Sequence, residues 1–210
     1  MNKIKIYGVQ NSGSIYLEWL IKHNIDVPMD VGYELGWKHR LAPSQAGVSS
    51  THKQNTVFIC LVKNPYSWML STHKRPHGHL SLKKLKFGDF IRFSYGDYQN
   101  PVVLWNKKNA SYLELKNYVD NFIMVKYEDL LKDPKGVIQG IADKTESKMP
   151  VFFKNMQYSL SGKRGKTSHR FHVDHYLDGK WKNNLRREHV KQINGFLDEK
   201  LMDKLNYTFL

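Results

Sequence analysis

Apolar residues along this chain fall into short continuous runs separated by stretches of helical spacing. Residues 56–62 and 121–127 are almost continuously apolar and rich in Val, Ile and Phe, whereas residues 3–7 alternate between lysine and apolar side chains. Apolar runs of this length are typical of strands that are buried on both faces of a sheet. The first run leads directly into Gly8. The pattern therefore predicts three buried parallel strands.

Apolar positions at helical spacing between and after these runs predict the helices. The predicted helices cover residues 14–21, 65–72, 100–119, 134–144 and 186–205. Strands that alternate with helices indicate an α/β fold, a three-layer parallel sheet with flanking helices. A chain of 210 residues is long enough for one sizeable core and short for two, which favours a single domain over residues 1–210.

The charge balance is strongly basic, with 33 Lys and Arg against 19 Asp and Glu and a net charge of +14. Such a charge attracts nucleic acid, acidic lipid, anionic glycan or a phosphate-rich nucleotide. The basic residues are scattered and form no polybasic tail, which favours a basic cleft over a nucleic-acid arm. No run of eighteen apolar residues occurs, so no membrane-spanning helix is expected. The lone Cys60 and the absence of an apolar N-terminal leader predict a cytoplasmic protein.

A glycine-containing loop follows the first predicted strand. Residues 8–14 read GVQNSGS, and a helix is predicted to begin at the last of them. Gly8 and Gly13 permit the tight turns that aim backbone N–H groups at an anion, and the helix N-terminus adds partial positive charge. The spacing resembles the Walker A loop, but Ser14 stands where that loop has lysine, which disfavours an ordinary ATPase or kinase. A plain strand–turn–helix corner explains the glycines equally well.

A second segment, FICLVKNPYSWMLS at residues 58–71, combines a buried strand, a basic residue, Asn-Pro and a helix. Ser71 stands eight places after the basic Lys63. This segment resembles the 3′-phosphate motif of sulfotransferases that use 3′-phosphoadenosine 5′-phosphosulfate (PAPS). Residues 11–17, NSGSIYL, are similar to that family's 5′-phosphosulfate loop, P-K-[ST]-G-T-[TS]-W-L.

Two later segments also resemble motifs of this family, and they occur in the same order along the chain. Residues 125–134, VKYEDLLKDP, are similar to its strand followed by YEDL…DP, and residues 162–166, GKRGK, resemble its basic loop that closes over the nucleotide. The resemblance implies a P-loop-NTPase-like sulfotransferase fold. It also implies PAPS as co-substrate, its desulfated product PAP, and no metal. The implied nucleotide-binding residues are Gln10, Asn11, Ser12, Gly13, Ser14, Ile15, Tyr16, Lys63, Ser71, Lys163, Arg164, Gly165 and Lys166.

The catalytic residues implied by the resemblance include one departure from the family. Asn11 occupies the position where the family has a lysine for the leaving oxygen. Residues 36–43, GWKHRLAP, resemble the family's K-[T]-H-x-P stretch. His39 is the predicted general base, because histidine titrates near working pH. Lys38 is predicted to stabilise the transferring sulfonate, with Glu34 as a reserve base.

The implied acceptor is a hydroxyl or amine on a small molecule or a glycan, with neither nucleic acid nor a membrane as partner. Because Asn11 carries no charge, a protein that binds PAP or PAPS without turnover is the main alternative. A P-loop nucleotide kinase is weakened by the missing lysine. A nucleic-acid binder is supported only by charge. No metal site is predicted from the histidines at 73, 77 and 79, since no cysteine lies near them.

Overall fold

The computed structural model describes residues 3–30, 34–156 and 173–210. Its central sheet contains β1 (Lys3–Gly8), β2 (Thr56–Val62) and β3 (Phe122–Lys126), which are parallel and lie in that order. Gly8 is paired with Leu61, and Val62 is paired with Lys126. The carboxyl ends of the three strands therefore meet at one edge of the sheet. The predicted α/β fold is confirmed.

Helices follow and flank the strands. They are α1 (Ser14–Asn24), α2 (Ser50–Asn55), α3 (Pro65–Lys74), α4 (Phe87–Arg92), α5 (Pro101–Glu114), α6 (Tyr127–Lys132), α7 (Pro134–Thr145), α8 (Val173–Leu177), α9 (Arg187–Asn194) and α10 (Glu199–Lys204). Short 3₁₀ turns cover Gln45–Gly47, Leu80–Lys84, Leu115–Asn117 and Lys180–Asn184. Within the described ranges, no helix is long and apolar enough to cross a bilayer.

The single helix predicted over residues 186–205 is wrong, because the chain forms α9 and α10 there. The break begins at Gly195. The carboxylate of Asp198 then accepts a hydrogen bond of 3.0 Å from the N–H of Leu201. An aspartate that satisfies a free N–H in this way starts a new helix. Apolar spacing alone did not reveal the capping residue.

The side chains of β2 divide the core into two layers. Phe58, Cys60 and Val62 face one cluster, which contains residues of α3 and α5. Val57, Ile59 and Leu61 face the other, which contains residues of α1 and α7. Successive strand residues point to opposite faces, so both faces of the sheet are covered. This explains why the run at residues 56–62 is apolar without interruption.

The chain leaves β1 and β2 in opposite directions across the sheet. After α1, Met29 forms a parallel bridge with Ile4 of β1. Because β2 pairs with β1 along its other edge, residue 29 lies outside β1. The chain from β2, by contrast, moves to β3 on the far side. The carboxyl ends of β1 and β2 thus flank a topological switch point, where open α/β sheets bind ligands.

Candidate active site

The loop between β1 and α1 is a compact turn beside the switch point. The N–H of Ser12 donates to the Val9 carbonyl over 3.1 Å. Gly13 has φ +98°, a left-handed conformation that glycine adopts without strain. No described side chain caps α1. The first N–H groups of a helix have no intrahelical partner, so this N-terminus is suited to an anion.

The side chain of Ser12 adds an unpaired donor to the loop. Ser12 is fully buried, and its Oγ has no hydrogen-bond partner among the described residues. A Cβ placed on Gly8 would lie 2.9 Å from this Oγ, so glycine at position 8 leaves room for the hydroxyl. Buried polar atoms are normally satisfied. The unpaired hydroxyl therefore fits a ligand that the loop holds.

Asn11 connects the loop to α3 and does not point into free space. Its φ of +64° is left-handed, a region that asparagine tolerates better than most residues. Its Nδ2 donates to Thr72 Oγ1 over 3.3 Å and to the Arg75 carbonyl over 3.1 Å. The Trp68 indole donates to the Gln10 carbonyl over 2.6 Å. Asn11 therefore ties the loop to α3 and to the residue that follows it.

Lys63 and Ser71, predicted to share one phosphate, are in direct contact. Lys63 Nζ donates to Ser71 Oγ over 2.9 Å. Asn64 caps α3 by accepting from the N–H of Tyr66 over 3.1 Å, so the helix that carries Ser71 starts immediately after Lys63. Lys63 stands two residues after Leu61, the partner of Gly8 in the sheet. The phosphate loop and the cation therefore lie at the same edge, on neighbouring strands.

Two tyrosines surround the Lys63 ammonium group. The ring centroids of Tyr127 and Tyr176 lie 4.8 Å and 4.2 Å from Nζ, and Lys63 is only 2% exposed. Burial lowers its pKa to about 7, while Glu128 acts in the opposite direction and Lys74 in the same one. The Tyr176 ring, which belongs to the short α8, thus covers part of the ammonium group.

His39 is held against the end of β1. The Gly8 N–H donates to the Lys38 carbonyl over 3.0 Å, and His39 Nδ1 lies 2.5 Å from the Gly8 carbonyl. A carbonyl only accepts hydrogen bonds, so Nδ1 carries the proton and Nε2 has the free lone pair. Burial lowers the pKa of His39 to about 4. The Gly8 hydrogen bond opposes this effect, and Lys38, Lys108 and His77 add to it. The imidazole is therefore neutral at pH 7 and able to accept a proton. Its pKa lies well below the working pH that the sequence led us to expect, which makes it a weaker base.

The side chains of three other predicted site residues are engaged elsewhere: Lys38, Glu34 and Tyr16. Lys38 Nζ forms an ion pair of 2.7 Å with Glu18. Glu34 is highly exposed and lies 3.1 Å from His52. Tyr16 is 5% exposed and donates to Asn155 Oδ1 over 2.8 Å, so its ring belongs to the core.

The remaining predicted residues are at the start of α1 or outside the described ranges. Ser14 is buried as the first residue of α1, whereas Ile15 is 58% exposed. Lys163, Arg164, Gly165 and Lys166 lie outside the described residues.

Several residues that support the site were missed in the sequence. Tyr127 lies between the two halves of the site. Its ring packs so closely on Gly13 that it leaves no room for a Cβ there, and it also faces the Lys63 ammonium group. Glu128 accepts from the Asn64 N–H over 3.0 Å and from the Tyr207 hydroxyl over 2.8 Å. These two residues are the YE of the third motif, whose role becomes visible only when β3 is placed beside β2.

Gly13 offers a test of the loop geometry. An added Cβ would lie 2.4 Å from the Tyr127 ring, and a non-glycine residue at this φ costs about 1–3 kcal/mol. We expect Gly13→Ala to destabilise the protein by at least that amount in urea unfolding. The control is Gly140→Ala in α7, where no atom lies within 4 Å of the added Cβ. This control should gain about 0.4–1 kcal/mol. Equal effects would contradict the described loop.

An uncapped helix N-terminus, an unpaired hydroxyl and a cation lie at one edge of the parallel sheet of this α/β protein, an arrangement suited to an anion. The sequence matches the sulfotransferase domain family over residues 14–205, and the chain belongs to that family. A search of curated proteins found no match.

Solved structures with the same fold include mouse sulfotransferase SULT7A1 complexed with PAP. It is 18% identical with a TM-score of 0.57, and the match covers 99% of this chain and 85% of that one. A sulfotransferase from Alicyclobacillus acidocaldarius is 10% identical with a TM-score of 0.50, covering 95% and 98%. The sulfotransferase domain from the curacin biosynthetic pathway is 19% identical with a TM-score of 0.45, covering 74% and 55%. This chain thus spans about half of that domain's length.

Proposed function

We propose that this protein transfers a sulfuryl group from PAPS to an acceptor hydroxyl or amine, with His39 as the general base. The observation that carries the proposal is the contact of 2.9 Å between Lys63 Nζ and Ser71 Oγ. This pair lies beside the Gly8 loop, so a nucleotide with phosphates at both ends would meet a cation and hydroxyl donor at one end. At its other end it would meet backbone N–H groups and Ser12.

The donors of the site fit a nucleotide with separate 5′- and 3′-phosphates better than a triphosphate. The loop offers a helix N-terminus without a lysine, whereas Lys63 stands apart at the end of the next strand. When bound, PAPS supplies an activated sulfuryl group on its 5′ side. The chain contributes position and charge, which dominate catalysis of such in-line transfers.

His39 is suited to accept the acceptor proton. Its Nδ1–H is fixed on the Gly8 carbonyl, so the lone pair of Nε2 is left to receive a proton. The low pKa keeps the ring neutral, and the segment that carries it lies against the first residue of the phosphate loop. This supports proton transfer close to the 5′ end of the nucleotide.

A second candidate function is nucleotide binding without turnover. Asn11 is engaged with α3 and Lys38 is paired with Glu18. Among the described residues of the loop and of the His39 segment, no lysine is therefore free to stabilise the negative charge that develops on the leaving oxygen. On this alternative the protein binds PAP tightly but transfers no sulfate. We favour the enzyme because the neutral His39 is placed for proton transfer.

Two assays in sequence test the proposal. Isothermal titration with PAP, ATP and a DNA duplex should give tight binding of PAP alone. Transfer of labelled sulfate from PAPS to a panel of glycans, phenols and amines should then proceed in the presence of EDTA. Preferred binding of ATP would indicate a kinase, and preferred binding of DNA would indicate a nucleic-acid binder. Binding of PAP without transfer would support the binding protein.

We also propose that residues 1–210 form one domain and that the protein acts in the cytoplasm on a hydroxylated or amine metabolite or glycan. The strongly basic composition suits an acceptor that carries negative charge.

A further inference from the structure

The segment that carries His39 has almost no regular secondary structure, yet side chains from two elements fix its backbone. It covers residues 35–43. On the β1 side, its carbonyls accept from Lys5 Nζ, the Tyr7 hydroxyl and the Gly8 N–H. The acceptors are the carbonyls of Leu35, Gly36 and Lys38. Three residues of β1 therefore hold the first half of the segment.

Helix α5 and the turn after it hold the second half. The hydrogen bonds are Lys108 Nζ to the His39 carbonyl (2.5 Å), the Tyr112 hydroxyl to the Arg40 carbonyl (2.9 Å), the Ala42 N–H to Ser111 Oγ (3.1 Å) and the Tyr118 hydroxyl to the Pro43 carbonyl (2.5 Å). Residues 108, 111 and 112 share one face of α5, since they are three and four positions apart. Every one of these bonds joins a side chain of α5 or its following turn to the backbone of the segment.

Lys108 is the member of this set that touches the residue carrying the base. Its ammonium group is partly buried, and burial lowers its pKa. No carboxylate lies within ion-pair distance of Lys108 among the described residues. A buried cation without a carboxylate is costly unless its donors are used. Here a donor is used on the backbone of His39.

We propose that Lys108 is a positioning residue for His39, which holds the segment so that Nδ1 stays on the Gly8 carbonyl and Nε2 stays unprotonated. The inference rests on the proposed function, in which His39 is the base. Lys108 acts in two ways. Its hydrogen bond fixes the backbone of His39, and its positive charge opposes protonation of the imidazole.

Two other titratable groups near His39 affect its pKa, and their effects must be distinguished from that of Lys108. Lys38 belongs to the same segment, and His77 follows α3; each lowers the pKa of His39, as Lys108 does. Lys38 is already neutralised by Glu18. Lys108 is therefore the neighbouring lysine whose charge no acidic side chain offsets.

The test is the titration of His39 followed by NMR of its ring carbon-bound proton, assigned with His39→Gln. In Lys108→Met we expect the pKa of His39 to rise from about 4 by on the order of one unit. Lys108→Arg keeps the charge and the donor, so it should restore the low value. The matched control is Lys107→Met, an exposed lysine on the same helix, which should leave the titration unchanged.

A second variant keeps the proposal testable if Lys108→Met does not fold. Tyr112→Phe removes the next hydrogen bond without changing charge, and the pKa of His39 should move in the same direction by less. Unchanged titration in every folded variant, or equal shifts in Lys107→Met and Lys108→Met, would overturn the positioning role. PAP titration of the same proteins should show wild-type affinity. If the wild-type protein does not bind PAP, the proposed function is refuted. The titration of His39 would still decide whether Lys108 positions it.

Discussion

Replacing His39 by alanine should lower turnover by about 10²–10⁴-fold, the usual contribution of a positioned general base. The neutral imidazole has its Nδ1 proton on the Gly8 carbonyl, so only Nε2 can accept a proton from the acceptor. Alanine removes this base and leaves Lys63, Ser71 and the phosphate loop in place. PAP affinity should therefore stay within about threefold of the wild type, because the bonds to both phosphates remain. The measurement is sulfate transfer at saturating PAPS, with PAP titration alongside.

His23→Ala is the matched control for this experiment. His23 is an exposed histidine in the last turn of α1, where its ring stacks on Trp19 at 4.0 Å between centroids. This change should leave turnover unaltered. Undiminished turnover in His39→Ala would remove His39 from the mechanism. An equal loss of PAP affinity and turnover would assign it to nucleotide binding.

Replacing Lys63 by methionine should weaken PAP binding by about 10- to 100-fold, which corresponds to about 1.5–3 kcal/mol for a charged hydrogen bond. Methionine nearly matches the lysine stem in length, and it removes a buried cation. Burial disfavours the charged form of this lysine and lowers its pKa, so the free energy of unfolding should not fall. Adenosine 5′-phosphate lacks the 3′-phosphate, so its affinity should be the same in both proteins.

Because the pKa of Lys63 is about 7, the pH dependence of PAP binding gives a second test of its role. The free protein loses the charge on this lysine as pH rises through 7, whereas a bound phosphate favours the charged form. PAP affinity of the wild type should therefore weaken from pH 7 to pH 9, and that of Lys63→Met should depend less on pH. Lys22→Met, an exposed lysine in the last turn of α1, is the control and should resemble the wild type. Parallel losses for PAP and adenosine 5′-phosphate would place the 3′-phosphate elsewhere.

The sheet and its main helices could be predicted because their signals are local. An uninterrupted apolar run such as residues 56–62 requires cover on both faces, and the β2 side chains divide between two cores as that requires. Pro65 after Asn64 likewise marks the start of α3. The boundary between α9 and α10 was missed because one carboxylate, on Asp198, decides it.

The site was predictable only in part because side-chain direction depends on contacts distant in sequence. The spacing of Lys63 and Ser71 along a strand end and helix was enough to predict that they would meet. The left-handed backbone of Asn11 and its hydrogen bonds to Thr72 and Arg75, by contrast, leave no trace in the local sequence pattern. The bonds from α5 to the His39 segment join residues about 70 positions apart, and no local pattern reveals them.

The decisive measurement is a crystal structure with PAP bound. We expect the 5′-phosphate to lie against the N–H groups at the start of α1 and the Ser12 hydroxyl. The 3′-phosphate of the same molecule should lie within hydrogen-bond distance of Lys63 Nζ and Ser71 Oγ, with the Tyr176 ring displaced from its present place over Lys63. Density for PAP at another surface, or for a nucleotide that contacts the loop while Lys63 stays covered, would contradict it.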